Sequence, residues 1–409
     1  MAGNNRLIHT PEGVKDSYNG ECRKKLAVQD KILDTFYLYG YEHIQTPSFE
    51  YFDIFSKDRG SVPDREMFKF FDRDNNTLVL RPDMTPAVAR CVAKYFMDDP
   101  MPLRLCYLER TFKNNSSYQG RLKERAETGA ELIGDDSEDA DAEMIAMVID
   151  SLRQAGLKEF QVELGQVAFY RSLLKEAGLE EEVEEELNQY IENKNYFAVE
   201  GLLKNQPVDE GLKKVFLKEA KKPTANPGAL AAIERLEKVH SILESRGLEA
   251  YVSYDLGMLS RYQYYTGIIF KAYTYGTGDY IVTGGRYDKL LVQFGKDTPA
   301  VGFVIVVDQL MAALSRQQID VPVTLVNTVI LYETSARSRA LWLGSYFRDK
   351  GLAVQSMKKK EQVALEDYKA MAIQRGMRNV LYLKGDGTVV TAMDTVNGNT
   401  DQIPITAYE

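Results

Sequence analysis

Histidine and cysteine are scarce. The 409 residues hold three of each: His9, His43 and His240, and Cys22, Cys91 and Cys106. They lie far apart and fit no metal-ligand spacing, which argues against a zinc site, a histidine-based metal centre and a Ser/His/Asp triad. An odd number of widely spaced cysteines suits a reducing cytoplasm. No run of ~18 apolar residues is present, so no membrane span is expected. The first residues, MAGNNRLIHTPEGV, lack the apolar core of a signal peptide. Positive charge is also short. The formal net charge of −9 speaks against a general nucleic-acid binder. Neither a GxxxxGK[ST] nor a GxGxxG loop occurs, and no cofactor or metal is expected.

The periodic segments define an α+β protein. Val28, Ile32, Phe36 and Tyr39 recur at helical spacing over 23–41, and Gly40 stops that helix. Pro47 interrupts a strand-like run over 42–55, which places it on an edge strand or at an interface. Residues 67–85 read as a hairpin around the turn RDNN. Thr85, with Pro86 after it, reads as the cap of a helix over 85–96. Strands over 103–112 and 125–134 flank the loop KNNSSYQGRLKE. A helix over 136–156 carries the stripe Ile145, Val148, Ile149 and Leu152. A strand over 159–165 leads to a mostly helical insertion, about 167–245. The acidic run LEEEVEEEL within it (179–187) reads as a solvated helix face. Strand-like segments resume at 251–257, 261–270 and 279–295, and 300–314 closes the domain as a strand running into a helix. The domain is expected to span 1–322. Strands and helices alternate over 323–409, a small C-terminal α/β domain.

Six segments occur in one order: YGYEHIQTPSFEYFDIF, LRPDMTPAVAR, GAELIG, YYTGIIF, GGRYDKLL and PAVGFVIVVDQL. Over roughly residues 6–315 this order resembles the histidyl-tRNA synthetase catalytic domain. The fold it implies is a class II aminoacyl-tRNA synthetase-like antiparallel sheet flanked by helices. LRPDMTPAVAR and YDLGMLSRYQYYTGIIF resemble more closely the ATP phosphoribosyltransferase regulatory subunits of histidine biosynthesis. The synthetase wording is nearer RPEGTA and RGLDYYTG. The resemblance implies dimerisation around Pro47. It also implies a hetero-octamer with a short-form ATP phosphoribosyltransferase catalytic subunit.

Adenylate formation needs fixed cations, because ATP and the attacking carboxylate are both anionic. The synthetase pattern supplies arginines, whose planar fork lysine does not copy. By resemblance, the first arginine falls on Lys113 and its companion glutamate on Asn115. The second falls on Ser260, with Gln263 in place of aspartate, although Arg261 stands next door. The third falls on Gln309, after Asp308. One residue of slip on a strand turns a side chain to the other face. Loss of one such donor typically costs about 10²–10³ in rate.

The recognition groups are better kept. The resemblance sets Glu131 against an imidazole with Tyr264 beside it, and Asp83, Thr85 and Glu127 around an α-amino group. Lys113 and Tyr265 complete the candidate histidine-binding set. Bland readings stand beside these. Tyr264 and Tyr265 fit core or edge aromatics. Glu127 and Glu131 fit strand residues that face water or pair with Arg121 or Arg125. Gly284 and Gly285 fit a close backbone approach, and Arg286 fits a pair with Asp288. The basic run MKKKEQ (357–362) fits a solvated surface, and no tRNA binding is expected. The function expected is a non-catalytic regulatory subunit that activates the transferase and carries histidine feedback. A divergent synthetase and an amino-acid sensor or RNA-binding module with another partner are the rivals.

Overall fold

The apolar stripe of the first helix is the seed of the larger unit: Val28, Ile32 and Phe36 are fully buried. In the computed structural model they lie on α1 (Asn19–Leu38), which ends before Gly40, at φ 81°. Residues 8–56, 62–96, 98–115, 122–218, 226–258 and 264–408 are described. They fall into two units, Met1–Val321 and Pro322–Glu409.

In the first unit, β1 (Glu42–His43) and β2 (Phe49–Tyr51) follow α1. Then come β3 (Lys69–Phe71), β4 (Thr77–Leu80), α2 (Thr85–Tyr95), β5 (Leu103–Phe112), β6 (Glu124–Ile133) and α3 (Glu138–Gln154). After β7 (Phe160–Gln166), the helices α4 (Val167–Ala177), α5 (Glu181–Glu192), α6 (Tyr196–Leu203), α7 (Glu210–Phe216) and α8 (Pro227–Ser245) form the insertion. The unit closes with β8 (Val252–Tyr254), β9 (Ile268–Thr274), β10 (Val282–Arg286), β11 (Ala300–Val306) and α9 (Val307–Arg316).

Eight of these strands form one sheet in the order β1-β5-β6-β11-β10-β9-β7-β8. Its centre is antiparallel, and only the outer pairs β1–β5 and β7–β8 are parallel. The strands β2-β4-β3 form a separate small sheet. Pro47 lies in neither. It sits in the link between an edge strand of one sheet and an edge strand of the other, where a missing N–H costs no ladder bond. Arg81, 1% exposed, fixes that link by donating to the carbonyls of Thr46, Pro47 and Arg110, and it pairs with Glu109.

Two local expectations meet different outcomes. Ser137 caps α3 by accepting from the Ala140 N–H at 3.2 Å, and Gly156, at φ 103°, ends the turn after it. Thr85 is no cap: Met84 holds that position, and the Thr85 hydroxyl turns away to Glu131 at 3.0 Å. The hydroxyl donates to a buried carboxyl group instead of accepting from a helix N–H. The glutamates of α5 stay outside, while Leu187 and Ile191 face the insertion's own core.

The second unit has β12 (Thr328–Tyr332), α10 (Arg337–Asp349), β13 (Val354–Lys358), α11 (Leu365–Gln374), β14 (Asn379–Leu383), β15 (Val389–Asp394) and β16 (Thr400–Pro404). The sheet order is β13-β12-β14-β15-β16. Alternate residues of β12 meet different helices: Val329 and Leu331 pack with Tyr368 and Ala372, Ile330 with Ala340 and Leu343. Among the described residues, no helix is long and apolar enough to cross a membrane.

Candidate functional site

Strand alternation selects one face of the large sheet for Glu127, Gly129 and Glu131 of β6. Register brings Tyr107 of β5 opposite Gly129 and Gly302 of β11 opposite Glu131. Two glycines make the room. A Cβ on Gly302 would stand 1.6 Å from Glu131 Oε2, and one on Gly129 would stand 2.5 Å from the Tyr107 hydroxyl. Neither position holds even an alanine without displacing its neighbour.

Glu131 is 1% exposed and fully engaged by neutral donors. Its Oε1 accepts from the Thr85 hydroxyl at 3.0 Å and the Tyr107 hydroxyl at 3.3 Å; its Oε2 accepts from Tyr287 at 2.5 Å. Burial pushes its pKa up to about 8, against the lowering effect of those hydroxyls. Asp83 adds to the rise. Asp83 itself accepts from the Tyr264 hydroxyl at 3.0 Å and from the Thr85 N–H at 3.3 Å. Glu127 is 5% exposed, and burial raises its pKa while the Lys113 charge opposes the rise. Thr111, on the neighbouring strand, also opposes the rise through its hydroxyl.

Tyr264 packs edge-on against Tyr265, with ring centroids 4.9 Å apart, and against Tyr287 at 5.9 Å. These rings, Asp83, Thr85, Thr283 and Gly302–Val304 line a cavity with room for about one water. The expected set thus meets as one bonded cluster of Asp83, Thr85, Glu131 and Tyr264, walled by Tyr265. Glu127 sits four residues before Glu131 on β6, within electrostatic reach of Asp83 and Lys113. The burial of both glutamates excludes the water-facing alternative.

The positions where the resemblance expects the ATP-activating arginines are described only in part. Lys113 follows the end of β5, its N–H donating to the Lys123 carbonyl at 2.8 Å. Asn115 has a buried Nδ2 that makes no hydrogen bond. Gln309 is the third residue of α9. Asp308, just before it, accepts from Lys25 Nζ at 2.8 Å and the Ala126 N–H at 3.0 Å. Ser260 and Gln263, with Arg261 and Arg121, lie outside the described residues. Arg286 pairs with Asp288 at 3.1 Å, but also with the fully buried Asp141 at 2.8 Å. Arg235 of the insertion meets the same Asp141 at 2.7 Å. Among the described residues, no group of three ligating side chains is placed to hold a metal.

Tyr107, Tyr287, Thr283 and Gly302 escaped the sequence reading. The missing signal was parity: Tyr287 is two residues past Gly285, Tyr107 faces Gly129, and both follow once the register is known.

This sheet and its insertion define a class II, histidyl-tRNA synthetase-like protein. A family model described as "Histidyl-tRNA synthetase" matches residues 13–310. A histidyl-tRNA synthetase from Nostoc has the same fold, with TM-score 0.80 and 18% identity over 98% of both chains. A Bacillus halodurans structure described as an "ATP phosphoribosyltransferase regulatory subunit/histidyl-tRNA synthetase" superposes with TM-score 0.82. It is 30% identical and covers 93% of this chain and 99% of its own. ATP phosphoribosyltransferase regulatory subunits from Acetivibrio thermocellus and Ruminiclostridium cellulolyticum are each 36% identical. They align over 95% and 97% of this chain, and over 94% and 96% of their own. The chain belongs to the ATP phosphoribosyltransferase regulatory subunit family.

Proposed function

We propose that this chain is a non-catalytic subunit that binds a short-form ATP phosphoribosyltransferase catalytic subunit, activates it, and carries feedback inhibition by histidine. One observation carries the reading. The recognition groups Asp83, Thr85, Glu131 and Tyr264 form a bonded cluster, while Lys113, Asn115 and Gln309 stand where adenylate chemistry calls for arginine, glutamate and arginine. An imidazole selected by a buried carboxyl group needs no arginine fork; an activated triphosphate does. Family membership favours a cytoplasmic place in histidine biosynthesis.

Inhibition is linkage. Histidine acts only if it binds one state of the assembly more tightly than another, and a coupling of about 1–3 kcal/mol is enough. The assembly we infer is a hetero-octamer on a homodimer core near Pro47. The outer face of the small sheet supports that core. Phe49, Tyr51 and Phe70 expose 52%, 57% and 37% of their surface there, two or more residues beyond Pro47 or across the strand pairs from it.

The test is reconstitution. The pure chain is expected to show neither histidine-dependent pyrophosphate–ATP exchange nor phosphoribosyl transfer. Added to the short catalytic subunit, it is expected to restore transfer that histidine then suppresses. Robust exchange by the chain alone, or no effect on the transferase, sinks the reading.

A further inference from the structure

The candidate pocket is satisfied from within. Asp83 and Glu131 already have donors from the protein: Tyr264 and the Thr85 N–H on Asp83, and Thr85, Tyr107 and Tyr287 on Glu131. The cavity between them has room for about one water. An imidazole ring has five heavy atoms. One wall must therefore move before such a ring enters.

The walls differ in how firmly they are held. Tyr287 is 2% exposed and bonded to Glu131, and Tyr265 is 6% exposed. Gly302 and Val304 are backbone and side chain of a central strand paired on both sides. Tyr264 alone among these aromatic walls is half-buried, and it precedes β9 rather than belonging to a strand. Its ring meets those of Tyr265 and Tyr287 edge-on.

We propose that Tyr264 is a built-in competitor that holds this pocket shut. Its hydroxyl occupies Asp83, the acceptor a ligand's ammonium group requires, and its ring stands where the ligand's ring must enter. The inference rests on the reading of this cavity as a site for an imidazole-bearing amine. Binding then runs through an open state, and the apparent affinity is reduced by the fraction of molecules in that state. Weakening the latch raises that fraction and tightens binding, the reverse of what a ligand-contacting hydroxyl would give.

Calorimetric titration of L-histidine into the full chain tests this with three proteins: unchanged, Tyr264→Phe and Glu131→Gln. Tyr264→Phe is expected to tighten histidine by about three- to tenfold, since a hydrogen bond to a carboxylate is lost from the closed state alone. Glu131→Gln is expected to weaken it. Tyr264→Ala, which opens a ring-sized space, is expected to admit free imidazole and serves if the Phe variant is poorly folded. Tyr264→Phe binding that is unchanged or weaker, while Glu131→Gln still weakens it, overturns the latch and leaves the pocket reading standing. Binding indifferent to Glu131→Gln, or absent from all three proteins, removes the pocket reading and the latch with it.

Discussion

The two ends of the pocket face of β6 have different characters. Around Glu131, three hydroxyls converge on one buried carboxyl group, and two glycines clear the space for it. Around Glu127, Lys113 stands where the family resemblance expects an arginine, an asparagine has a buried amide nitrogen without a hydrogen bond, and Asp308 at the start of α9 pairs with Lys25. The first end is over-determined; the second is not. Recognition of a small ring needs a shaped, dry acceptor, whereas activation of a nucleotide needs several cations in fixed places. A sheet can keep the one after losing the other.

That contrast breaks hardest if the recognition end loses its anchor. Arg286 holds the start of the Tyr287 turn by donating to Asp141 at 2.8 Å and to the carbonyls of Asp135 and Ser137. Asp141 is fully buried, and burial raises its pKa although two arginines oppose the rise. Arg286→Ala leaves that carboxylate with Arg235 only. The expected loss is about 3–5 kcal/mol of stability by denaturant titration, the range for a broken buried pair. Asp288→Ala, which removes the outer partner and the acceptor of the Thr266 hydroxyl and the Ala300 N–H, is expected to cost less, about 1–2 kcal/mol. Equal losses from both would show that the inner pair carries no special weight.

The next effect is set by pH. The folded-state pKa of Glu131 is raised, to about 8, above an ordinary carboxyl value of 4.5. A raised pKa means the folded protein prefers the protonated form. The stabilisation is fully present below about 4.5 and is lost as pH climbs through 8. Relative to Glu131→Gln, which stays neutral, the unchanged protein should lose on the order of 3 kcal/mol between pH 5 and pH 8. A difference that stays flat over that window would mean that Glu131 is ionised throughout.

How much of this was legible beforehand follows from the physics of each signal. The α1 and α3 stripes were plain, because helical period and terminal glycines are local. The order of motifs carried the sheet, since strand order is inherited with the family and not written in any one segment. Thr85 was misread, because its best acceptor lies 46 residues away in sequence and no local rule sees it. Tyr287 and Gly302 were missed for the same reason: their meaning depends on register between strands. Arg286 was half-read. Its neighbour Asp288 is local, but Asp141 is 145 residues distant. Glu127 and Glu131 were found through the family resemblance, and their even spacing on one strand then gives them a shared face.

The smallest effect expected is the most informative about the second end. Lys113→Arg together with Gln309→Arg returns two forks to positions that are only half-buried, so folding stability should change by less than about 0.5 kcal/mol. Nucleotide affinity should rise by no more than about tenfold, since each added cation sits near solvent. Pyrophosphate–ATP exchange should stay at background. Ser260 still stands where the third arginine belongs, and groups that act as a unit do not restore a rate one at a time. Asp308 also remains tied to Lys25, so the α9 start keeps its present carboxylate geometry. Exchange dependent on histidine in this double variant would mean that the second end lacks only charge. Its arrangement of backbone and neighbours would then be that of a working synthetase, and the contrast between the two ends would reduce to two side chains.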